Sequence, residues 1–168
     1  MSQFRITVVC LGNICRSPIG EAVLRDRIAQ AGLDSHVIVD SAGTGDWNLG
    51  NPVDRRAAAA MAQHGYSLDH RARQIDEQWF ADIDLALAMD TDNFTDLHAM
   101  LGQARTRTNI RMFRSFDPAL TGIAAPDRAL DVPDPYYGGD ESFIEVLHMI
   151  EAAAEGLVAQ LLAHEIGS

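Results

Sequence analysis

Residues 4–18 read FRITVVCLGNICRSP, a mostly apolar run followed by a short polar loop and a proline. The apolar run at residues 4–10 predicts a buried strand. Pro18 suits the first turn of a helix, where its missing N–H group costs nothing. The chain therefore passes from a strand into a helix through one loop that holds Cys10, five further residues, Arg16 and Ser17. We expect the remaining strands and helices to pack around this strand, loop and helix.

The residue types in this loop suit an oxyanion held beside a thiolate. Backbone N–H groups at the start of a helix point at a bound anion. Arg16 adds a planar pair of donors for further oxygen contacts, and helix N-termini and nearby cations favour the thiolate form of a cysteine. Gly12 permits a backbone geometry that a side chain would obstruct. We interpret Cys10 as a nucleophile and Arg16 as a phosphate ligand, rather than as a structural cysteine and a surface ion pair.

Two polar residues of the loop are candidates for support of the nucleophile. The Ser17 hydroxyl can donate to the Cys10 sulfur, which would steady the thiolate and improve it as a leaving group. The same serine can instead cap the following helix, and both roles can hold together. Asn13 suits a strained turn, because asparagine tolerates left-handed backbone conformations.

The composition restricts the class of protein. Residues 1–168 are expected to form one domain with a substantial core. The formal net charge of −11 argues against a nucleic-acid binder and requires an anion site to create positive potential locally. No membrane span or signal peptide stands out. The two cysteines do not form a secreted disulfide pattern, so we expect a cytoplasmic protein, with export independent of a signal peptide left open.

Along the chain, strand-like and helix-like segments alternate. The pattern predicts strands at residues 4–10, 36–41, 85–89 and 109–113, and helices at 18–31, 54–65, 76–80, 92–101 and 140–163. Residues 115–137 contain several prolines and are expected to be irregular. Such alternation favours a parallel sheet covered on both sides by helices, in which ligands bind beyond the carboxyl ends of the strands. Cys10 lies at such an end.

A proton donor for a leaving oxygen is expected in residues 131–139, which read DVPDPYYGG. Asp134 stands between two prolines that restrict its backbone to extended geometry. A stiffened acid beside two aromatic residues can protonate a leaving group. The alternative is an ordinary surface turn, for which Pro-Asp-Pro is also suitable.

Four segments together carry a resemblance to a known family. They are the loop and its flanks at residues 9–18, SAGT at 41–44, HRARQ at 70–74 and DPYY at 134–137. With these segments the chain resembles the low-molecular-weight protein tyrosine phosphatases from about Phe4 to Leu162. Residues 111–137 look most like bacterial members of the family, those of actinobacteria in particular.

This resemblance implies an α/β, three-layer fold of flavodoxin-like type with a four-stranded parallel sheet. It also implies two-step hydrolysis of phosphotyrosine in a protein substrate, with inorganic phosphate as product and neither metal nor cofactor. Cys10 would attack the phosphorus while Asp134 protonates the departing tyrosine. Asp134 would then act as base for the water that hydrolyses the phosphocysteine.

The resemblance implies roles for further residues as well. Ser41 and His70 would join Asn13 and Ser17 in a hydrogen-bond network, although the sequence alone would make His70 a plain loop histidine. A substrate rim would consist of Trp47, Tyr136 and Tyr137, with partial core packing as the alternative. The phosphate-binding loop would comprise Leu11, Gly12, Asn13, Ile14, Cys15 and Ser17.

Cys15 has two interpretations. The resemblance implies a reversible disulfide between Cys10 and Cys15 that protects the nucleophile from overoxidation. The alternative is a small buried residue that fills space in the loop.

Three other functions are alternatives to tyrosine dephosphorylation. Thioredoxin-coupled arsenate reductases share this loop but need a further cysteine beyond Cys15, and the chain has none. Protein-arginine phosphatases carry a threonine at the position of Ile14, so the apolar residue here favours a phenyl ring. A non-catalytic phosphotyrosine-binding module would be expected to lack Cys10 or Asp134.

Overall fold

The central sheet of the protein has four parallel strands in the order β2-β1-β3-β4. The computed structural model describes residues 3–102 and 108–163. The strands are β1 (Phe4–Cys10), β2 (Val37–Gly43), β3 (Leu85–Ala88) and β4 (Asn109–Met112), and the helices are α1 (Arg16–Gln30), α2 (Arg55–Gln63), α3 (Glu77–Asp82), α4 (Thr91–Leu101) and α5 (Asp140–Leu162). The predicted four-stranded parallel sheet is confirmed.

Side chains that alternate along β1 enter two separate apolar clusters. Ile6 and Val8 belong to the larger cluster, which includes residues of α1 and α5. Val9 points to the other face and packs with Phe80 of α3 and Leu97 of α4. The sheet is therefore covered by helices on both sides, in three layers.

Helix α1 begins at Arg16, two residues before the predicted start, because Cys15 rather than Ser17 is its N-cap. Pro18 accordingly lies in the first turn. The helix approaches the sheet closely at Gly20, where an added Cβ would lie 2.8 Å from the Val8 side chain. This close packing fixes the first turn of α1 directly above the end of β1.

Residues 115–137 are less irregular than predicted. They include two short 3-10 turns, Pro118–Leu120 and Arg128–Leu130, and the end of a third, Phe113–Phe116. The side chains of Asp117 and Asp127 each accept a hydrogen bond from the backbone N–H two residues ahead, at 2.9 Å. These local hydrogen bonds form turns that strand or helix periodicity does not reveal. Within residues 3–102 and 108–163, every helix is too short or too polar to cross a membrane.

Candidate active site

We call residues 10–17, between β1 and α1, the phosphate loop. Cys10 is the last residue of β1 and Arg16 the first of α1, and both are 3% exposed. Cys15 provides no side-chain cap, so the first N–H groups of α1 are left for another partner. Asn13 has a φ of 58°, the left-handed conformation that bends the loop back around Cys10.

The Cys10 sulfur has two hydrogen-bond partners in the loop. The Asn13 backbone N–H donates to Sγ at 3.3 Å, and Ser17 Oγ lies 2.9 Å from Sγ. Ser17 Oγ also accepts a hydrogen bond from Asn13 Nδ2 at 2.8 Å. Because that bond uses the acceptor side of the hydroxyl, the Ser17 proton is directed to the sulfur, where it stabilises a thiolate.

The Asn13 side chain connects the phosphate loop to β2. Its Nδ2 donates to Ser41 Oγ at 3.0 Å, and Ser41 donates in turn to the Glu21 carboxylate at 2.7 Å. Asn13 Oδ1 accepts from the Arg73 backbone N–H at 2.9 Å. Asn13, Ser41 and Glu21 are all buried, so these hydrogen bonds hold the loop in one conformation.

His70 reaches the same residue from the loop that follows α2. Its Nε2 lies 2.7 Å from the Asn13 carbonyl oxygen. Since a carbonyl can only accept, Nε2 carries a proton and donates it to this hydrogen bond. His70 is buried, so it supports the strained backbone of Asn13.

Arg16 joins the phosphate loop to two other segments. Its Nη1 donates to Asp90 Oδ2 at 2.6 Å and to the Val132 carbonyl at 2.9 Å. Burial works to lower the pKa of the guanidinium, but the charges of Cys10 and Asp90 and the hydrogen bond to Asp90 outweigh it and raise this pKa above its usual range. Arg16 is therefore a permanent positive charge at the base of the site.

Asp90 is a site residue that the sequence reasoning missed. It is the N-cap of α4, and its Oδ1 accepts from the Asn93 N–H at 2.8 Å while Oδ2 binds Arg16. The sequence contained a signal for Asp90. It directly follows the strand predicted at residues 85–89, just as Cys10 stands at the end of the strand predicted at residues 4–10. Carboxyl ends of parallel strands lie at one edge of the sheet, so an acid there was a candidate neighbour of Arg16.

We call residues 131–139 the acid loop. Near its start, the Val132 N–H donates to the Met89 carbonyl at 2.7 Å beside the end of β3. Asp134 Oδ1 accepts from the Tyr136 N–H at 3.1 Å, and Oδ2 lies 3.9 Å from Arg16 Nη2. The Asp134 side chain is 45% exposed. The structure thus places Oδ2 toward the phosphate loop and holds Oδ1 by the backbone.

The phosphate loop and the acid loop enclose one cleft of about 270 Å³. Trp47 and Tyr137 are 73% and 93% exposed at its rim, and Tyr136 lies 5.0 Å from the Tyr137 ring centroid in an edge-to-face arrangement. The alternative of core packing for Trp47 is wrong, because its ring is mostly in solvent. The lining also includes Leu11, Gly12, Ile14, Cys15 and Asn48.

The surroundings of Gly12 agree with the prediction that a side chain there would meet an obstruction. Its φ is not in the left-handed region; Asn13 is the residue with positive φ. A Cβ on Gly12 would instead lie 2.7 Å from Asn48 Nδ2. The glycine therefore makes room for the segment that carries Trp47.

Cys15 is a free thiol, as is Cys10, and both are buried. Burial raises the pKa of the Cys15 thiol, and the negative charge of Asp54 raises it further. The raised pKa favours the thiol form of Cys15, so Cys10 rather than Cys15 is the candidate for attack on phosphorus. Among the described residues, no group of three histidine, cysteine or acidic side chains is arranged to hold a metal ion.

Comparison with known proteins assigns the chain to one family. A model of the low molecular weight phosphotyrosine protein phosphatases matches residues 5–166. The chain is 48% identical over 156 residues to a low molecular weight protein-tyrosine-phosphatase of the actinobacterium Streptomyces coelicolor, which covers 93% of this chain and 92% of that protein. A protein tyrosine phosphatase from Entamoeba histolytica has a TM-score of 0.85 at 34% identity, covering 98% and 100% of the two chains. A Drosophila arginine phosphatase has a TM-score of 0.83 at 28% identity, covering 95% and 98%.

Proposed function

The chain belongs to the low molecular weight phosphotyrosine protein phosphatase family and is a protein-tyrosine phosphatase, and on this basis we propose how its residues hydrolyse phosphotyrosine. Cys10 is the nucleophile, Arg16 the phosphate ligand and Asp134 the general acid and base. The observation that carries this assignment is that Asp134, distant in sequence from the phosphate loop, lies in one cleft with Cys10 and Arg16.

Binding places the phosphoryl group in the phosphate loop. The backbone N–H groups at the start of α1 and the Arg16 guanidinium contact its oxygens. The aromatic rings of Trp47, Tyr136 and Tyr137 at the rim flank the tyrosine ring of the substrate. The chain carries a formal net charge of −11, which repels an anionic substrate. The positive potential of the loop N–H groups and Arg16 offsets this repulsion at the site.

In the first step a bond forms between Cys10 Sγ and phosphorus as the bond from phosphorus to the tyrosine oxygen breaks. The departing oxygen takes a proton from Asp134. Since Asp134 Oδ1 accepts the Tyr136 N–H, this proton is carried on Oδ2, the oxygen on the Arg16 side. Arg16 and the loop N–H groups stabilise the charge on the equatorial oxygens.

In the second step water hydrolyses the phosphocysteine. The Asp134 carboxylate removes a proton from the water, whose oxygen attacks phosphorus as the bond to sulfur breaks. The Cys10 thiolate leaves with the support of the Ser17 hydroxyl at 2.9 Å. Inorganic phosphate is released and the resting enzyme is restored.

The substrate preference is tested with two phosphopeptides that differ only in the modified residue. We expect the phosphotyrosine peptide to be hydrolysed at an undiminished rate with EDTA present, because no step uses a metal. The phosphoarginine peptide is expected to react at least about tenfold more slowly, because the half-buried, apolar side chain of Ile14 at the cleft cannot accept a hydrogen bond from a guanidinium N–H. Release of inorganic phosphate measures both.

The matched variant Ile14→Thr supplies a hydroxyl at the same position and is expected to reduce the ratio of phosphotyrosine to phosphoarginine hydrolysis. Preference of the unmodified enzyme for phosphoarginine would replace the assignment with an arginine phosphatase. Loss of activity with EDTA would contradict the metal-free mechanism.

We also propose that Cys15 protects Cys10 in a reducing, cytoplasmic setting. Oxidation of the Cys10 thiolate by peroxide gives a sulfenic acid, which condenses with the Cys15 thiol to a disulfide with loss of water. The two cysteines line the same cleft, which supports this proposal. Peroxide-treated enzyme is expected to recover activity in dithiothreitol, and Cys15→Ser to recover far less. Equal recovery of both would remove this role.

A further inference from the structure

Arg56, the second residue of α2, contacts the end of the acid loop. Its Nη1 donates to the Gly138 carbonyl at 3.2 Å. The guanidinium carbon lies 5.4 Å from the centroid of the Tyr136 ring and 4.6 Å from that of the Phe143 ring. The side chain is 34% exposed, so part of the guanidinium is packed between these rings.

The same guanidinium is tied to the phosphate loop through Asp54. Arg56 Nε and Nη2 donate to the two Asp54 carboxylate oxygens, each at 3.2 Å. The Asp54 backbone N–H donates to the carbonyl oxygen of Ile14 at 2.8 Å. Burial acts to raise the pKa of the Asp54 carboxyl, but hydrogen bonds from the Arg56 side chain and backbone hold it below its usual range. One arginine thus bridges the two loops of the active site.

The two ends of the acid loop differ in how they are held. Its start is fixed independently of Arg56, because the Thr91 N–H donates to Asp131 Oδ1 at 2.8 Å and Arg16 donates to the Val132 carbonyl. Its end, residues 135–139, is mostly exposed. In the part of the chain that the structure describes, Arg56 gives the only side-chain hydrogen bond from another element to this end.

The position of Tyr136 matters for the acid, because its backbone N–H holds Asp134 Oδ1 at 3.1 Å. We propose that Arg56 is a positioning residue for Asp134, which it orients through Tyr136 and Gly138 relative to the phosphate loop, to which Asp54 connects it. This inference rests on the proposed role of Asp134 as general acid. Arg56 does not touch the substrate phosphate; it fixes the direction in which Oδ2 presents its proton.

The test is the dependence of the rate on the leaving group. Arg56→Met removes the side-chain hydrogen bonds to Asp54 and Gly138 but keeps an unbranched side chain against Phe143. We expect kcat/KM for phenyl phosphate, whose leaving group needs a proton, to fall about tenfold, and that for 4-nitrophenyl phosphate to fall less than about threefold. Arg56→Lys, which keeps the charge but not the planar fork, is expected to lie between Arg56→Met and the unmodified enzyme.

Arg55→Met is the matched control, since Arg55 is exposed on the same helix and its side chain has no hydrogen bond or ion pair with a described residue. Inhibition by inorganic phosphate reports the integrity of the phosphate loop and is expected to change less than about twofold in Arg56→Met. Equal losses for both esters, or no loss for either, would overturn the inference. Arg56→Lys gives the same comparison if the methionine variant does not fold.

A double variant separates positioning from general damage. If Arg56 acts through Asp134, then Arg56→Met adds no further loss for phenyl phosphate in an Asp134→Asn background. Losses that multiply would show that Arg56 acts elsewhere and would remove the inference alone. An Asp134→Asn enzyme with the same leaving-group dependence as the unmodified protein would instead remove the assigned acid, and the role of Arg56 with it.

Discussion

Cys10→Ser is expected to lower kcat for phosphotyrosine by about 10⁴-fold or more, because a serine hydroxyl at this position is a far weaker nucleophile than a thiolate. The site stabilises a negatively charged sulfur through the Asn13 N–H and the Ser17 hydroxyl. Neither contact deprotonates an alcohol, since no general base lies within hydrogen-bond distance of Sγ among the described residues. Steady-state hydrolysis of a phosphotyrosine peptide measures the loss.

The control for Cys10→Ser is binding, because the phosphate ligands remain in place. The Arg16 guanidinium and the start of α1 do not depend on the sulfur for their positions, which Asp90 and Val132 hold. Calorimetric titration with the peptide is therefore expected to give a dissociation constant close to the KM of the unmodified enzyme. Retention of more than about one per cent of kcat would exclude Cys10 as the nucleophile.

Asp134→Ala is expected to lower kcat/KM for phosphotyrosine by about 10²–10³-fold, the range for loss of a general acid. The tyrosine oxygen is a poor leaving group without a proton, and Oδ2 of Asp134 is the carboxylate oxygen directed to the phosphate loop. Substrate affinity is expected to persist, since the change removes a negative charge near the bound dianion. The same variant should lose much less of its kcat/KM for 4-nitrophenyl phosphate, because this constant reports the phosphorylation step and the 4-nitrophenolate leaving group departs unprotonated.

Asp96→Asn is the matched control for charge. Asp96 is an exposed aspartate of α4 and lines a groove that Asp134 also lines, but it lies outside the cleft that contains Cys10. We expect kcat/KM of this variant to stay within about twofold of the unmodified enzyme. Asp134→Ala with full activity on phosphotyrosine would show that another group supplies the proton.

The sequence was sufficient to predict the sheet because its strands depend on local patterns, and it indicated Cys10, Arg16 and Asp134 as the candidate reacting groups. The strand at residues 4–10 was predicted to the residue, since its buried run ends where the polar loop begins. Strand β2 ends at Gly43 rather than residue 41, because β1 continues to pair with it as far as Cys10 and Gly43. The residue at which a strand ends depends on pairing with the neighbouring strand, so the local sequence says little about it.

The supporting residues were harder to predict because they act across the fold. Arg73 and Arg56 each donate a hydrogen bond to a loop of the site from another part of the chain, and Glu21 reaches the phosphate loop through Ser41. In sequence these residues are ordinary charged positions of helices and loops, and only the packing of α1 and α2 against the loop assigns them a partner. Asp90 was within reach of prediction, since the end of β3 must lie beside the end of β1 in a parallel sheet.

The direct test of the mechanism is to trap the phosphocysteine. Asp134→Ala mixed with 4-nitrophenyl phosphate forms the intermediate but lacks the base that hydrolyses it, so the intermediate accumulates after one turnover. Rapid quenching followed by mass spectrometry of the peptides is expected to find one phosphoryl group on Cys10, in step with a burst of 4-nitrophenol. A burst without a phosphorylated Cys10, or a phosphoryl group on any other residue, would contradict the account.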